Sequence, residues 1–166
     1  YNIPRLSNNE SRLLTTANKK CKYPGGDCYQ LRLQKVEGFT GGDYTIHGLW
    51  PQWKNNCKKH KGISKTCKPL QKELDKYWYT YKKKQGWTNE SFRLHEWNKH
   101  GSCSGMTQKE YFETTLQLYK KHKDLCKKKN NKQGPKLFRK THSHNKGAKE
   151  CGICFDKNLE NVIDCY

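Results

Sequence analysis

From Tyr29 to Val36 the chain alternates Tyr, Leu, Leu and Val with Gln, Arg, Gln and Lys, the period of a half-buried strand. Gly38 to Asp43 reads as a tight turn. Tyr44 to His47 is a second strand that delivers His47 at its end, with a turn expected at Gly48 to Pro51. Leu70, Leu74, Tyr77, Trp78 and Tyr81 fall at helical spacing and predict an amphipathic helix over 70–81. A further helix begins around Phe92 and stops near Gly101. After it, Thr107 followed three residues later by Glu110 predicts a capping box, with Tyr111, Phe112, Thr115, Leu116 and Tyr119 on the buried face of the helix it opens. Ile153, Phe155, Val162 and Ile163 predict two closing strands around a turn at Lys157 and Asn158. Strands and helices mixed without regular βαβ alternation indicate an α+β fold with an antiparallel central sheet and several helices. No composition break marks a linker, so residues 1–166 are expected to form one domain.

Three stretches fall outside this pattern. Residues 1–20 are poor in large apolar groups and predict a loosely held arm. Residues 54–69 carry six lysines and predict an exposed loop pinned at Cys57 and Cys67. Residues 120–140 hold ten Lys or Arg and predict an open basic loop, either a phosphate-tracking surface or a solvated segment.

Composition changes the picture of the core. Hydrophobic residues are only 32% and aromatic residues 12%, so the interior must rely on Trp, Tyr and Phe and on crosslinks. Nine cysteines fit that need and imply an oxidising compartment, with one left over to be free or paired between chains. Cys21 and Cys28 flank a Pro-Gly-Gly turn that a local disulfide would close. The chain starts at Tyr1 and contains no apolar run long enough for a leader or a membrane span, which suggests a mature secreted form. Acceptor sequences at Asn9 and Asn89 make both glycosylation candidates. A formal charge of +19 favours a polyanionic partner: RNA, an anionic glycan or an anionic membrane surface.

The chemistry concentrates in Phe92 to Gly105, FRLHEWNKHGSCSG. On a helix His95, Lys99, Glu96 and His100 fall at roughly 0°, 40°, 100° and 140°, one polar arc able to move protons near neutral pH and hold an anion. Another histidine, His47, stands in DYTIHGLWPQW. Together these stretches resemble the two active-site segments of the ribonuclease T2 family, with Ser102 where threonine is usual. GICFDKNLENVIDC resembles the closing segment of plant self-incompatibility ribonucleases, a branch of that family, and the likeness touches Tyr29 to Gln34 and Leu74 to Trp78. Lys35-Val36 departs from the family's usual Trp-Pro, and 120–150 is short and basic for it.

The resemblance implies an α+β, disulfide-stabilised enzyme that cleaves single-stranded RNA through attack by its own 2′-hydroxyl, giving a 2′,3′-cyclic phosphate and then a 3′-phosphate. It implies His100 as general base and His47 as general acid, an order that the residues by themselves leave open. Lys99 and Glu96 would steady the transition state and His95 would hold the phosphate. Trp50 and Phe92 would stack on bases and Gln34 would contact a base edge. It also implies Cys57–Cys103 and Cys154–Cys165 disulfides; no cofactor or metal and a monomer are expected, and the cysteines point to a secreted or extracellular protein, or a vacuolar or endolysosomal one. Two rival readings stand beside it. Cys151-Gly152-Ile153-Cys154 with His142 and His144 is a candidate zinc or redox site, whereas HExxH is absent because His95 and His100 are five apart. A non-catalytic cationic protein binding nucleic acid, glycan or membrane on the same scaffold fits the charge equally well, but would have no use for the histidine set.

Overall fold

The structure is built on a five-stranded antiparallel sheet with three α-helices packed around it. The computed structural model describes residues 20–22, 25–128, 132–144 and 147–166; residues 1–19 of the expected N-terminal arm, Asn9 among them, and Lys129 in the basic stretch lie outside the described residues. The strands are β1 (Cys28–Val36), β2 (Thr45–Pro51), β3 (Phe138–Thr141), β4 (Ala148–Asp156) and β5 (Val162–Ile163). The order is β2-β1-β4-β3, with β5 also pairing β4. The helices are α1 (Gln71–Tyr77), α2 (Asn89–Lys99) and α3 (Gln108–His122), supplemented by 3-10 turns at Lys65–Leu70, Lys83–Gln85, Gly101–Cys103 and Lys123–Lys127. Among the described residues no helix is long and apolar enough to cross a membrane.

The alternation in β1 is real, but both faces are covered. Tyr29, Leu31 and Leu33 enter the apolar core, and Gln30, Arg32 and Gln34 are also at most 5% exposed, so the expectation of a half-buried strand is corrected. Their polar atoms are satisfied laterally: Arg32 Nε donates to Gln30 Oε1 at 2.7 Å, and its guanidinium lies 4.1 Å from the Phe138 ring and 4.4 Å from that of Trp50. On the other face α3 seals the sheet. The expected capping box is present, and Tyr111, Phe112, Thr115, Leu116 and Tyr119 are buried as the spacing predicts. Tyrosine suits this face because it fills volume while its hydroxyl serves the strand backbone. Tyr111 Oη accepts from Leu49 N–H at 3.1 Å and donates to Leu49 O at 2.9 Å, and Tyr119 Oη donates to Tyr44 O at 2.6 Å.

Three expectations change. The helix predicted over 70–81 ends at Tyr77, because Trp78 takes an extended-side conformation (φ −135°, ψ 78°) that drops its indole between Tyr111 and Phe112. Its predicted first turn is 3-10 and contains Pro69. The turn expected at Gly48 to Pro51 is strand: β2 runs through Pro51 as an edge, where proline's missing N–H costs nothing. The basic stretch 120–140 is not an open loop throughout, since α3 and a 3-10 turn run to Lys127 and β3 starts at Phe138. Cys126, buried and bonded to Cys151, anchors it.

Four disulfides form: Cys21–Cys28, Cys57–Cys103, Cys126–Cys151 and Cys154–Cys165. The two implied pairs and the local one agree with expectation, and the leftover cysteine is Cys67, free and buried. Cys57–Cys103 ties the loop after β2 to the turn after α2. Ser102 tightens the same junction, accepting from Cys57 N–H at 3.2 Å and Lys58 N–H at 3.1 Å and donating to Asn98 O at 2.8 Å.

Candidate active site

β2 and α2 bring the two motifs together, and a bulge in β2 aims the first. Arg32 pairs with Gly48 while Leu33 pairs with Ile46, which leaves His47 as the extra residue opposite no partner. Bulges of this kind re-aim a side chain. Trp78 Nε1–H donates to the displaced His47 carbonyl at 3.0 Å, so the indole that ends α1 also pins the bulge. The next residue must be glycine, because a Cβ on Gly48 would collide with Glu96 Oε1 and the Trp50 indole nitrogen.

α2 starts with a capping box in which Thr88 and Ser91 exchange side-chain and backbone hydrogen bonds, and Asn89 Oδ1 accepts from Thr80 N–H at 3.0 Å. The helix ends at Lys99 with His100 as its C-cap. Gly101 follows because a Cβ there would meet Trp97 and Tyr111 at 2.6 and 2.8 Å. The polar arc expected from helical angles is therefore split by depth. His95 stands on the rim with 48% of its side chain exposed, whereas Glu96 is 2% exposed. His100 is also sunk, at 8%.

His47 lies between two carboxylates. Its Nδ1 is 2.7 Å from Glu150 Oε1 and its Nε2 3.6 Å from Glu96 Oε2. Burial would lower its pKa, but Glu96, the hydrogen bond to Glu150 and the charge of Glu150 outweigh that and raise it above the usual histidine value. Glu96 also accepts from Trp50 Nε1–H at 2.7 Å and sits 4.0 Å from His95 Nε2. Its burial nonetheless raises its own pKa, against the charges of His47, His95 and Lys99 and the Trp50 bond.

His100 has the opposite setting. Its ring stacks on Trp50 at 4.5 Å and 15°, and its Nδ1 has no hydrogen-bond partner among the described residues. Burial first, then the positive charges of Lys99, His47, His95 and Arg32, lower its pKa to about 3. It is therefore neutral and able to accept a proton, while His47 is biased toward the proton-bearing form.

Two recesses flank these rings. One of about 590 Å³ is lined by Trp50, Gln52, Trp53, Lys99 and His100 among others. A smaller one of about 150 Å³ is lined by Gln34, His47, Thr80, Phe92, His95 and Glu96 among others. The sequence-predicted residues thus converge, with differences in posture. Trp50 is occupied by His100 and Arg32 rather than presenting a free ring, Phe92 packs 5.6 Å from His47, and Gln34 donates to Tyr79 O at 3.4 Å at the wall of the smaller recess.

Sequence reasoning missed Glu150, Arg32 and the role of His142. Glu150 Oε1 meets His47 and lies 3.5 Å from Arg32, while Oε2 is 2.8 Å from His142 Nε2. Burial would raise its carboxyl, but the His47 bond and the charges of His47, Arg32 and His142 hold it down to about 2. A charged residue inside the stretch Ala148 to Asp156 was the available signal, obscured by the adjacent cysteines. Those cysteines supply neither a zinc ligand pair nor a redox pair, because Cys151 and Cys154 are each committed to a different disulfide.

The sequence model of the ribonuclease T2 family matches residues 16–133. Ribonuclease 1 of Arabidopsis thaliana is 38% identical over 111 residues, covering 62% of this chain and 43% of that protein, so the match spans less than half the length of this relative. Ribonuclease S-2 of Nicotiana alata is 30% identical over 156 residues, covering 76% of this chain and 72% of that one. Among solved structures, the Japanese pear S3-RNase superposes with a TM-score of 0.57 and 26% identity over 84% of this chain and 90% of the other. A fold shared with that ribonuclease and a family match across most of the sequence, both histidine motifs included, make the chain a member of the ribonuclease T2 family.

Proposed function

We propose that this protein is a metal-independent endoribonuclease that cleaves single-stranded RNA by transesterification. One observation carries the reading: two histidines lie against the same tryptophan with opposite proton affinities, His47 raised and His100 lowered to about 3. A general acid and a general base working at one pH need that split. Neutral His100 takes the 2′-hydroxyl proton as the 2′-oxygen attacks phosphorus. The bond from phosphorus to the 5′-oxygen breaks, and His47 delivers its Nε2 proton to the departing oxygen. Water then opens the 2′,3′-cyclic phosphate with the two roles reversed, leaving a 3′-phosphate. An incoming phosphate also offsets the cations around His100 and restores part of its basicity.

Lys99 beside His100 supplies positive charge to the phosphorane, and half-exposed His95 holds the phosphate at the rim. Glu96 keeps His47 protonated from the Nε2 side. The two recesses take the nucleosides on either side of the scissile phosphate, with Phe92 and Gln34 at the smaller. Trp50 orients His100 and Glu96 as well as lining the larger. The surplus of lysine and arginine attracts the polyanion. No cofactor enters this chemistry. Four disulfides fit an oxidising destination, secreted or within the vacuolar or endolysosomal system, and the protein is read as a single-domain monomer.

The test is an RNA oligomer with one 2′-deoxy sugar at the scissile position, assayed with and without EDTA. The expected result is a cyclic-phosphate product from all-ribose RNA, full activity in EDTA, and blocked cleavage but retained binding of the deoxy oligomer. Cleavage of the deoxy oligomer would refute the mechanism, and binding of both oligomers without cleavage would leave a non-catalytic cationic binder.

A further inference from the structure

The geometry points to Glu150 as the positioning residue for His47: it binds the Nδ1–H and so dictates which ring nitrogen faces substrate, while Arg32 and His142 hold the carboxylate in place. This rests on the reading of His47 as proton donor. The observation behind it is a connected chain of polar contacts spanning the sheet, with the carboxylate buried and both imidazoles partly exposed. Glu150 on β4 and His47 on β2 are separated by β1, whose Gln34 pairs with Glu150 on one side and Thr45 on the other. Strands two apart lie about 9.6 Å from each other, so a carboxylate reaches the ring only because the bulge turns His47 toward it.

Glu150 is 6% exposed and its two oxygens are divided between two imidazoles, Oε1 to His47 Nδ1 at 2.7 Å and Oε2 to His142 Nε2 at 2.8 Å. An ionised carboxylate only accepts, so both facing nitrogens must carry hydrogen. In His47 this assigns the fixed proton to Nδ1 and leaves Nε2 as the nitrogen that gives and regains one. Glu150 also stabilises the imidazolium, the role that an acidic partner plays behind a catalytic histidine generally. A buried carboxylate placed only to neutralise Arg32 would not need this alignment, since Arg32 approaches no closer than 3.5 Å.

Beside burial, the groups that set His47 are Glu96 from α2, Glu150 from β4 and Arg32 from β1; His95, Lys99 and His100 from α2 and its cap, and His142 behind Glu150, act on the same cluster through Glu96, His100 and Glu150. Tyr81, across the smaller recess, also feels Glu150. Among the described residues only Glu150 contacts Nδ1. Its neutral isostere should therefore lower the His47 pKa. Removing His142 should do the reverse, because the full carboxylate charge then falls to His47. A carboxylate without this contact would leave the His47 titration nearly unmoved by either change.

The experiment is NMR titration of the His47 ring in the labelled full chain without RNA, with pH-rate profiles alongside, for wild type, Glu150→Gln and His142→Ala. In Glu150→Gln the His47 pKa should fall by about one unit or more. Because the acid must be protonated to act, the basic limb of the profile then moves to lower pH, and kcat drops about a hundredfold with little change in KM. In His142→Ala the His47 pKa should rise by a few tenths of a unit. An unchanged His47 titration in folded Glu150→Gln, or a downward shift in His142→Ala, would overturn the assignment. If Glu150→Gln fails to fold, the His142→Ala titration decides, with no shift counting against. A wild-type chain that cuts no RNA would defeat the ribonuclease reading while leaving the titrations to judge the positioning.

Discussion

His47 and His100 are the same side chain in two environments, and the contrast explains why two elements are needed. His47 is mounted on a strand bulge, faces Glu150 and Glu96, and is pushed toward holding its proton. His100 caps a helix, stacks on Trp50, has cations and no carboxylate among the charges that set its pKa, and is pushed toward releasing its proton. A single helix face carrying both histidines would expose them to similar fields. Splitting them between β2 and the end of α2 lets carboxylates gather around one and cations around the other within a short distance, because Trp50 abuts both.

Replacing either histidine tests the contrast most severely. His47→Ala and His100→Ala should each lose about 10²- to 10⁴-fold in kcat. The two differ in rescue: a substrate whose 5′-oxygen is replaced by sulfur departs without protonation, so it should restore His47→Ala and leave His100→Ala inactive. Rescue of the wrong variant, measured by single-turnover cleavage, would exchange the acid and base assignments. A smaller effect should follow from Lys99→Met. It removes the strongest of the cations depressing His100, so the His100 pKa rises. Since the base must be unprotonated, the acidic limb of the profile should move to higher pH by about half a unit, with the basic limb in place. A shift in the basic limb instead would mean that Lys99 acts on His47. The smallest effect concerns charge in the basic segment after α3. Replacing Lys127, Lys128 and Lys129 by alanine should flatten the salt dependence of RNA affinity by about 0.7 in log–log slope for each phosphate that is no longer neutralised, with the pH profile unchanged. Lys127 already pairs with Asp43 at 3.1 Å, and an unaltered slope would identify the segment as solvated rather than phosphate-tracking.

What the chain alone made legible was set by local rules. The alternation of Tyr29, Leu31 and Leu33 made a strand, Thr107 and Glu110 made a helix start, and aromatic spacing put Tyr111, Phe112 and Tyr119 inside. The five proposed catalytic residues were also legible, because they cluster within two short motifs. Harder to read were the places where a distant partner overrides local preference. Trp78 continues the helical spacing, yet tertiary packing against Tyr111 and Phe112 pulls it out of the helix. The lysine-rich 120–140 segment looked open because charge dominates its composition, while one buried disulfide organises it.

The sequence by itself determined most of the elements, the cysteine surplus and the residue types able to move protons, since capping, periodicity and motif spacing act over a few residues. Only the tertiary structure decided what those groups do to one another. Glu150 is 103 residues from His47 and 8 from His142, and its influence exists only because β1 and β4 pair in one register and His47 occupies a bulge. Proton affinity depends on burial and on charges a few ångströms away, and those distances are properties of the fold rather than of neighbours along the chain.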